Sequence, residues 1–461
     1  MEFFGRSKEL NRLQAQFSKS KSATLVYGKR RVGKTTLIRQ AAKSFPGSFL
    51  YYECVRSSVR DNLDRLTRQI AELSQSPYLH FNDFAEPFAF LSSLKAPTLV
   101  VIDEYQYLKN LAREGEIDSL IQAAIDTMGD GVHVVLSGSY ISVMKELMEE
   151  GNPLFGRFGC TINLKEFEYL DASRFVTASG IREKMELYSV FGGLPFACAK
   201  IDPCASLRKN VCSLLLEDGS PLRTYMEYVL FSEVSKVSNA NRVLESLGNG
   251  KKRYTEIEAS TRNAQNGATD KHLKMLLGMQ VIEKIQPINK RGDAKKTFYA
   301  IADNLVRFYY TFVFGNENYI EIQGAEGYYE SAIAPAIGQF VSRRFEEIAR
   351  EYFSMEAKRS GNPRNIADVG TFWYDDPERR AHGEFDIALK HLAGNYSFYE
   401  AKALSRPLTK AECDKEAAQV RRAAELAGIE VASIGFVSLE GFDFDSDEYD
   451  LITGANLYAQ A

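Results

Sequence analysis

The sequence predicts an α/β protein whose N-terminal part is a three-layer fold around a parallel sheet. Three observations predict it. Four apolar runs, "ATLVYG", "SFLYYE", "PTLVVID" and "VHVVLSG", are nearly continuous in aliphatic, aromatic and β-branched residues, as strands covered on both faces are. Longer amphipathic stretches lie between them, including Lys34 to Ser44 and Val59 to Leu73, which gives strand–helix alternation. The first run leads into "GKRRVGKT", residues 28–35, which matches GxxxxGK[ST] between a strand and a helix.

That loop carries its own chemistry. Gly28 and Gly33 let the backbone curl so that successive N–H groups across Lys29, Arg30, Arg31 and Val32 point inward at phosphate oxygens. The helix that starts at Lys34, with Thr36 in its first turn, adds a fractional positive charge of roughly half an elementary unit. Lys34 is expected to reach the β- and γ-phosphates of ATP, and the Thr35 hydroxyl to ligate Mg²⁺. The strand "TLVVID" ends in Asp103 and Glu104. Asp103 is the expected Mg²⁺ acid and Glu104 the group that polarises the attacking water. "VHVVLSGSY" ends in small polar residues, with Ser139 in the position to sense the γ-phosphate and Ser137 as the other candidate.

Domain boundaries follow from shifts in pattern. The ATPase core is expected over 1–170 and a helical lid over 171–247, where strand signals fade. A small winged-helix-like unit is expected over 248–304, because short helices are followed by "VIEKIQPI" and "KTFYAIA" around a Gly-containing connection. From Lys251 to Lys296 there are 11 basic and 5 acidic residues, a local net charge of +6 in a chain of net charge −4. That excess suits DNA or RNA phosphates, although a charged hairpin tip is also compatible with plain solvation or a protein contact.

The last α/β domain is expected over 305–461. Its two strand candidates, "HGEFDIALK" and "FYEAK", carry Asp386, Glu400 and Lys402 in a D…ExK arrangement, between the helix "FVSRRFEEIAREYF" with Glu346 and a second helix from Thr409 onward. Asp386 and Glu400 supply hard oxygen ligands for Mg²⁺, Lys402 on the same strand face steadies a water or a developing charge, and Glu346 ligates a second metal or supports the first. The alternative is a simple Glu400–Lys402 surface ion pair, worth about 0–1 kcal/mol.

Composition excludes other classes. With 45% hydrophobic and 26% charged residues, the 461-residue chain reads as several globular domains. Six scattered cysteines contain no CxxC pair, which argues against zinc ribbons and a disulfide framework and for reduced thiols in a cytoplasmic protein. No apolar run is long enough to span a bilayer as a helix, so no membrane role is expected.

Together "FFGRSKEL", "YGKRRVGKTTLI", "IDEYQYL", "LSGSYISVM" and "PLFGRF" resemble the archaeal-type ATPases, AAA+-related proteins among the signal-transduction ATPases with numerous domains. The resemblance implies that Phe4, Gly5 and Arg6 pack near the adenine. It makes Arg157 an arginine finger, acting in cis or from a neighbouring copy, or else a surface cation. "FGGLP", residues 191–195, is similar to the lid element whose proline, Pro195, contacts nucleotide, or else it is a helix-stopping turn. The C-terminal pattern resembles the PD-(D/E)xK nuclease core, which implies a restriction-endonuclease-like fold. The expected function is an ATP-hydrolysing regulator that couples nucleotide state to a nucleic-acid module, with nuclease activity left open. The alternative is a nucleotide-dependent switch or scaffold with an inert nuclease-like domain, acting as a homo-oligomer or on a protein partner.

Overall fold

Five parallel strands organise the first half of the chain. In sequence they are β1 (Ser22–Tyr27), β2 (Ser48–Glu53), β3 (Thr98–Asp103), β4 (Val132–Gly138) and β5 (Cys160–Asn163), and in the sheet they run β2-β3-β4-β1-β5. Every residue of β1, β3 and β4 is buried, which is why their sequences show no polar–apolar alternation. One core joins Leu25, Val100, Ile102, Val134 and Leu136 from the strands to Leu63, Leu66 and Ile70 of the helix Val59–Ser74 and Ile117 and Ile121 of the helix Glu116–Thr127. A buried polar knot supports it. Asp118 accepts hydrogen bonds from Tyr105 Oη at 2.7 Å, Lys109 Nζ at 2.7 Å and Asn152 Nδ2 at 2.8 Å.

This computed structural model describes residues 3–111, 115–230, 240–261, 268–359, 361–362 and 364–459. The chain divides into two compact units, residues 1–166 and 167–461. No described helix is long and apolar enough to cross a membrane.

The second unit opens with helices, among them Ile181–Phe191, Pro195–Cys198 and Pro221–Tyr225. Next come the helices Tyr254–Thr261 and Ala268–Gly278 and a small antiparallel sheet of β6 (Lys252–Arg253), β7 (Ile282–Ile285) and β8 (Phe298–Ile301), in the order β6-β8-β7. Residues 262–267, in the middle of the expected helix–turn–helix, lie outside the described residues. The link between β7 and β8 is not a tight hairpin. It contains two short 3₁₀ turns, Ile288–Lys290 and Ala294–Lys296. Two of its cations are engaged rather than projecting: Arg291 pairs with Asp368 at 2.5 Å, and the Lys296 ammonium lies 3.4 Å from the centroid of the Trp373 ring.

A mixed sheet completes the unit. Its strands are β9 (Ile366–Asp376), β10 (Ala381–His391), β11 (Tyr396–Lys402), β12 (Val431–Ser438) and β13 (Asp450–Thr453), in the order β13-β12-β11-β10-β9. The pairs β9–β10 and β10–β11 are antiparallel, while β11–β12 and β12–β13 are parallel. One face packs against the helix Ala334–Ala357 through Phe345, Ile348 and Phe353, which meet Ile387, Tyr399 and Ala401. The other packs Phe385, Phe398 and Phe436 against Ala417 and Val420 of the helix Lys410–Ala427. That helix begins with a capping box, in which Thr409 and Glu412 bond reciprocally. The acidic tail behaves as an alternating segment. Asp443, Asp445 and Asp447 are exposed, and Phe442 and Phe444 tuck against the core.

Candidate functional sites

The carboxyl ends of β1, β3 and β4 meet at one edge of the N-terminal sheet, where ligands of open α/β sheets bind. Gly28 follows β1. A Cβ there would fall 2.2 Å from the Leu164 carbonyl oxygen, so only glycine lets the loop leave the strand at this point. Gly33, with φ of 97°, caps the helix Lys34–Ala42. Lys34 is buried and bends back over the loop, donating to the carbonyls of Gly28 at 3.0 Å and Lys29 at 3.1 Å and to Ser139 Oγ at 3.0 Å. Thr35 Oγ1 donates to Asp103 Oδ2 at 3.1 Å. Glu104 accepts from Ser139 Oγ at 2.7 Å and from Gln106 Nε2. The loop, the two acids and Ser139 therefore form one hydrogen-bonded group. Ser137 does not join it: its buried hydroxyl has no hydrogen-bond partner among the described residues.

Two further side chains, Tyr51 and Gln106, belong to this group, and three more, Arg56, Tyr107 and Tyr140, form a cluster with Arg30 of the loop; none was among the residues expected from the sequence. Tyr51 on β2 donates its phenol to Asp103 Oδ2 and lies 3.4 Å from Thr35 Oγ1. Burial first, and then the bond to Asp103, raises the Tyr51 phenol above its ordinary value. Gln106 links Glu104 to the Ser139 backbone N–H, which donates to Gln106 Oε1 at 3.2 Å. Arg56 donates to Tyr140 Oη at 2.9 Å and lies 4.5 Å from the Tyr107 ring centroid, while Arg30 donates to Tyr107 Oη. The signal for Gln106 and Tyr107 was present in "DEYQYL". Nothing local marked Tyr51 or Arg56, which join only through the sheet order.

Arg6 is buried and donates to the Lys165 carbonyl at 2.5 Å, beside half-buried Phe4 and Gly5. Lys29 pairs with Glu166 at 2.6 Å. Val32 is buried, Arg31 has φ of 63°, and Thr36 is exposed. Arg157 is clamped by Asp126, with contacts of 3.1, 3.2 and 3.1 Å. Pro195 opens a short helix in the second unit.

The second group lies on the C-terminal sheet. Ile387 pairs with Tyr399 in the antiparallel β10–β11 register, so Asp386 falls opposite Glu400. The β9–β10 register breaks between Phe385 and Ala388, which puts an irregularity at Asp386, as strands near functional sites often have. Asp386 Oδ2 accepts from the Ala401 N–H at 3.3 Å and shares a hydrogen bond with Glu400. Burial first, then Asp386, pushes the Glu400 carboxyl up to about 9. Glu346 is pushed up to about 7, again by burial first and Asp386 second. Lys402 sits 3.3 Å from Glu400 Oε2. Burial opposes the ammonium charge, but Glu400 and Asp386 outweigh it and raise the Lys402 value. Arg350 donates to the Asp386 carbonyl at 2.6 Å. All four expected residues thus interact. Among the described residues, however, no three His, Cys, Asp or Glu side chains are gathered closely enough to hold a metal ion by themselves.

Residues 3–201 match a family described as an ATPase domain predominantly from Archaea. The N-terminal region is an archaeal-type ATPase domain. Residues 309–415 match a second family, described as archaeal and bacterial proteins of unknown function, and this ATPase therefore carries Glu346, Asp386, Glu400 and Lys402 inside that second match. A curated relative, an uncharacterised protein of Methanocaldococcus jannaschii, is 25% identical over 387 residues, covering 82% of this chain and 83% of its own. Among solved structures, a Walker-type ATPase of Pyrococcus abyssi superposes with a TM-score of 0.51 at 19% identity, over 67% of this chain and 96% of that one. The ORC2 protein of Aeropyrum pernix gives a TM-score of 0.46 at 13% identity, over 70% and 96% of the two chains. The archaeal-type ATPase domain thus shares its α/β fold with P-loop ATPases.

Proposed function

We propose that the ATPase domain drives a metal-dependent nucleic-acid module of the PD-(D/E)xK type, built from a winged-helix-like unit (248–304) and a C-terminal nuclease-like domain (305–461), with residues 171–247 as the lid. At the nucleotide site, Lys34 and the loop N–H groups hold the ATP phosphates. Glu104, steadied by Ser139 and Gln106, orients the attacking water and takes its proton. By the family likeness, the Phe4–Arg6 segment is proposed to pack near the adenine, Arg157 to act as an arginine finger in cis or from a neighbouring copy, and Pro195 to be the nucleotide-contacting proline of the lid. Residues for Mg²⁺ are Thr35 and Asp103 in this domain, and Asp386, Glu400 and the Ala401 carbonyl, with Glu346 nearby, in the other. The donor chemistry fits in each case, because paired hard oxygens with few protein ligands suit an ion that keeps several waters. When bound, the ion supplies charge neutralisation at phosphate oxygens and a more acidic water.

The observation that carries the nuclease reading is the Asp386–Glu400 pair. Two carboxyls share a hydrogen bond beside Lys402, with Glu400 raised to about 9. Neighbouring carboxyls favour the protonated form of one of them when no cation is bound, as paired catalytic acids do. Lys402 is proposed to stabilise charge developing on the scissile phosphate. The test is divalent-metal-dependent cleavage of plasmid DNA and of RNA by the wild type and by Lys402→Ala. Loss of cleavage in the variant supports the nuclease reading, whereas equal cleavage, or none by either protein, favours the alternative. That alternative is a nucleotide-dependent switch or scaffold. The Glu400–Lys402 ion pair and the lack of a three-ligand cluster among the described residues favour it.

A further inference from the structure

Within the second unit, the β6–β8 segment and the C-terminal sheet enclose a cleft of about 840 Å³. Asp386 and Glu346 open into it, together with Lys251, Lys284, Arg343 and Arg350. Its acids are partly matched: Glu347 by Arg307 at 3.2 Å and by Arg344, and Glu384 by Lys251 at 2.5 Å. Three of its cations meet no carboxylate in this way. Arg343 and Arg350 are held by backbone carbonyls, of Asn249 at 3.2 Å and Asp386 at 2.6 Å, and Lys284 is exposed. A cationic lining that leads to a carboxylate pair is the electrostatic footprint of a phosphodiester track.

We propose that this cleft takes a single nucleic-acid strand by its backbone and leads it to Asp386 and Glu400, an inference that rests on the nuclease-type reading above. A cleft of about 840 Å³ takes at most a few nucleotides of one strand, and a duplex, one turn of which is ~34 Å long, could only lie across its mouth. The walls are also tied together. Asn289 donates to the Trp373 carbonyl at 2.8 Å and accepts from its N–H at 3.0 Å, and Arg291 bridges to Asp368 at 2.5 Å. Ile288 packs so closely on Gly370 that a Cβ there would lie 2.6 Å from it. No aromatic side chain is among the lining residues, so base stacking contributes nothing and binding is blind to sequence.

The full chain, with Ca²⁺ replacing Mg²⁺, is titrated into fluorescein-labelled oligothymidylate of about 12 nucleotides and into a labelled duplex of about 12 base pairs. Three backbone contacts give a salt slope of about −2 for a single strand. The single strand is expected to bind at least ~10-fold tighter than the duplex. The double variant Lys284→Glu/Arg343→Glu should weaken strand binding at least ~10-fold and bring the slope to about −0.7. Equal or tighter duplex binding overturns the inference, and so does unchanged strand binding by a variant whose circular dichroism matches the wild type. If that variant does not fold, the wild-type preference and slope still decide. Strand binding of this kind without any cleavage would sink the nuclease reading and leave the cleft. Metal-dependent cleavage of duplex as fast as of single strands, indifferent to the double variant, would do the reverse.

Discussion

Replacing Glu400 by glutamine isolates the carboxyl pair without any nucleic acid. Burial and Asp386 raise the Glu400 carboxyl from 4.5 to about 9, while in the unfolded chain it titrates at its ordinary value. The folded state therefore binds the proton more tightly. The stability this contributes is complete below the unfolded value of 4.5 and is lost as pH rises toward 9. One pKa unit corresponds to ~1.4 kcal/mol. The loss is then on the order of 1 kcal/mol near pH 5.5 and a few kcal/mol near pH 7.5. Glutamine keeps the shape and the hydrogen bonding but cannot ionise. E400Q should gain on the order of 3 kcal/mol on the wild type between those two pH values. The chain holds a single tryptophan, Trp373, buried in β9 of the same sheet, so its fluorescence reports unfolding of the C-terminal sheet. With a urea m-value of about 3 kcal/mol/M, the midpoints should separate by roughly 1 M over that interval. Parallel pH profiles for the two proteins would refute the reasoning, because Glu400 would then be no more protonated in the folded chain than in the unfolded one. Mg²⁺ should raise the wild-type midpoint at about pH 7.5 and leave that of E400Q nearly still.

Lys34→Ala should abolish ATP binding in calorimetry, and Glu104→Gln should retain binding and stop turnover; normal hydrolysis by the latter contradicts the role given to Glu104. Tyr51→Phe removes a donor that competes for Asp103, a bond worth about 0.5–1.5 kcal/mol. The half-saturating Mg²⁺ concentration for hydrolysis should fall roughly 2- to 10-fold, and an unchanged requirement rejects the competition. Asp118→Ala leaves Tyr105 and Asn152 without this acceptor in the ATPase core and Lys109 with Glu146 alone, at 3.7 Å, at a cost of about 1–3 kcal/mol; a melting temperature unchanged from the wild type would count against it.

What was legible in the sequence depended on range. Three of the four strands read in the ATPase core, β1, β3 and β4, announced themselves because full burial makes them nearly all apolar, whereas β2 is only half-buried and was marked by its aromatic residues. The loop 28–35 did so because its geometry needs glycine at fixed offsets. Asp386, Glu400 and Lys402 were legible because a period of two and a short connection set them on paired strands. Three kinds of feature were not. Strand β9, with "TFWYDD", carries polar ends and does not alternate cleanly, so no run marked it. Tyr51 reaches Asp103 only because β2 pairs with β3, a choice of neighbour that no local pattern encodes. The β7–β8 link reads as a solvated hairpin tip, and its cations turn to Asp368 and Trp373, partners more than 70 residues away.

The two carboxylate groups keep their charge in check by different means, and the difference has a functional consequence. Asp103 is met by hydroxyls: the Tyr51 phenol and Thr35 Oγ1 both donate to the same oxygen. A cation approaching it has to displace these neutral donors. Asp386 and Glu400 instead meet each other, and burial with that neighbour raises the Glu400 carboxyl, which favours its protonated form. A cation entering there competes with a proton on Glu400, so its affinity should rise with pH. Lys402 tilts the balance the other way, because its ammonium already offsets part of the pair's charge and competes with the ion for Glu400. If the C-terminal pair is the metal site proposed above, a phosphate that draws Lys402 away would free Glu400 for the ion, so that substrate and metal would each favour the arrival of the other.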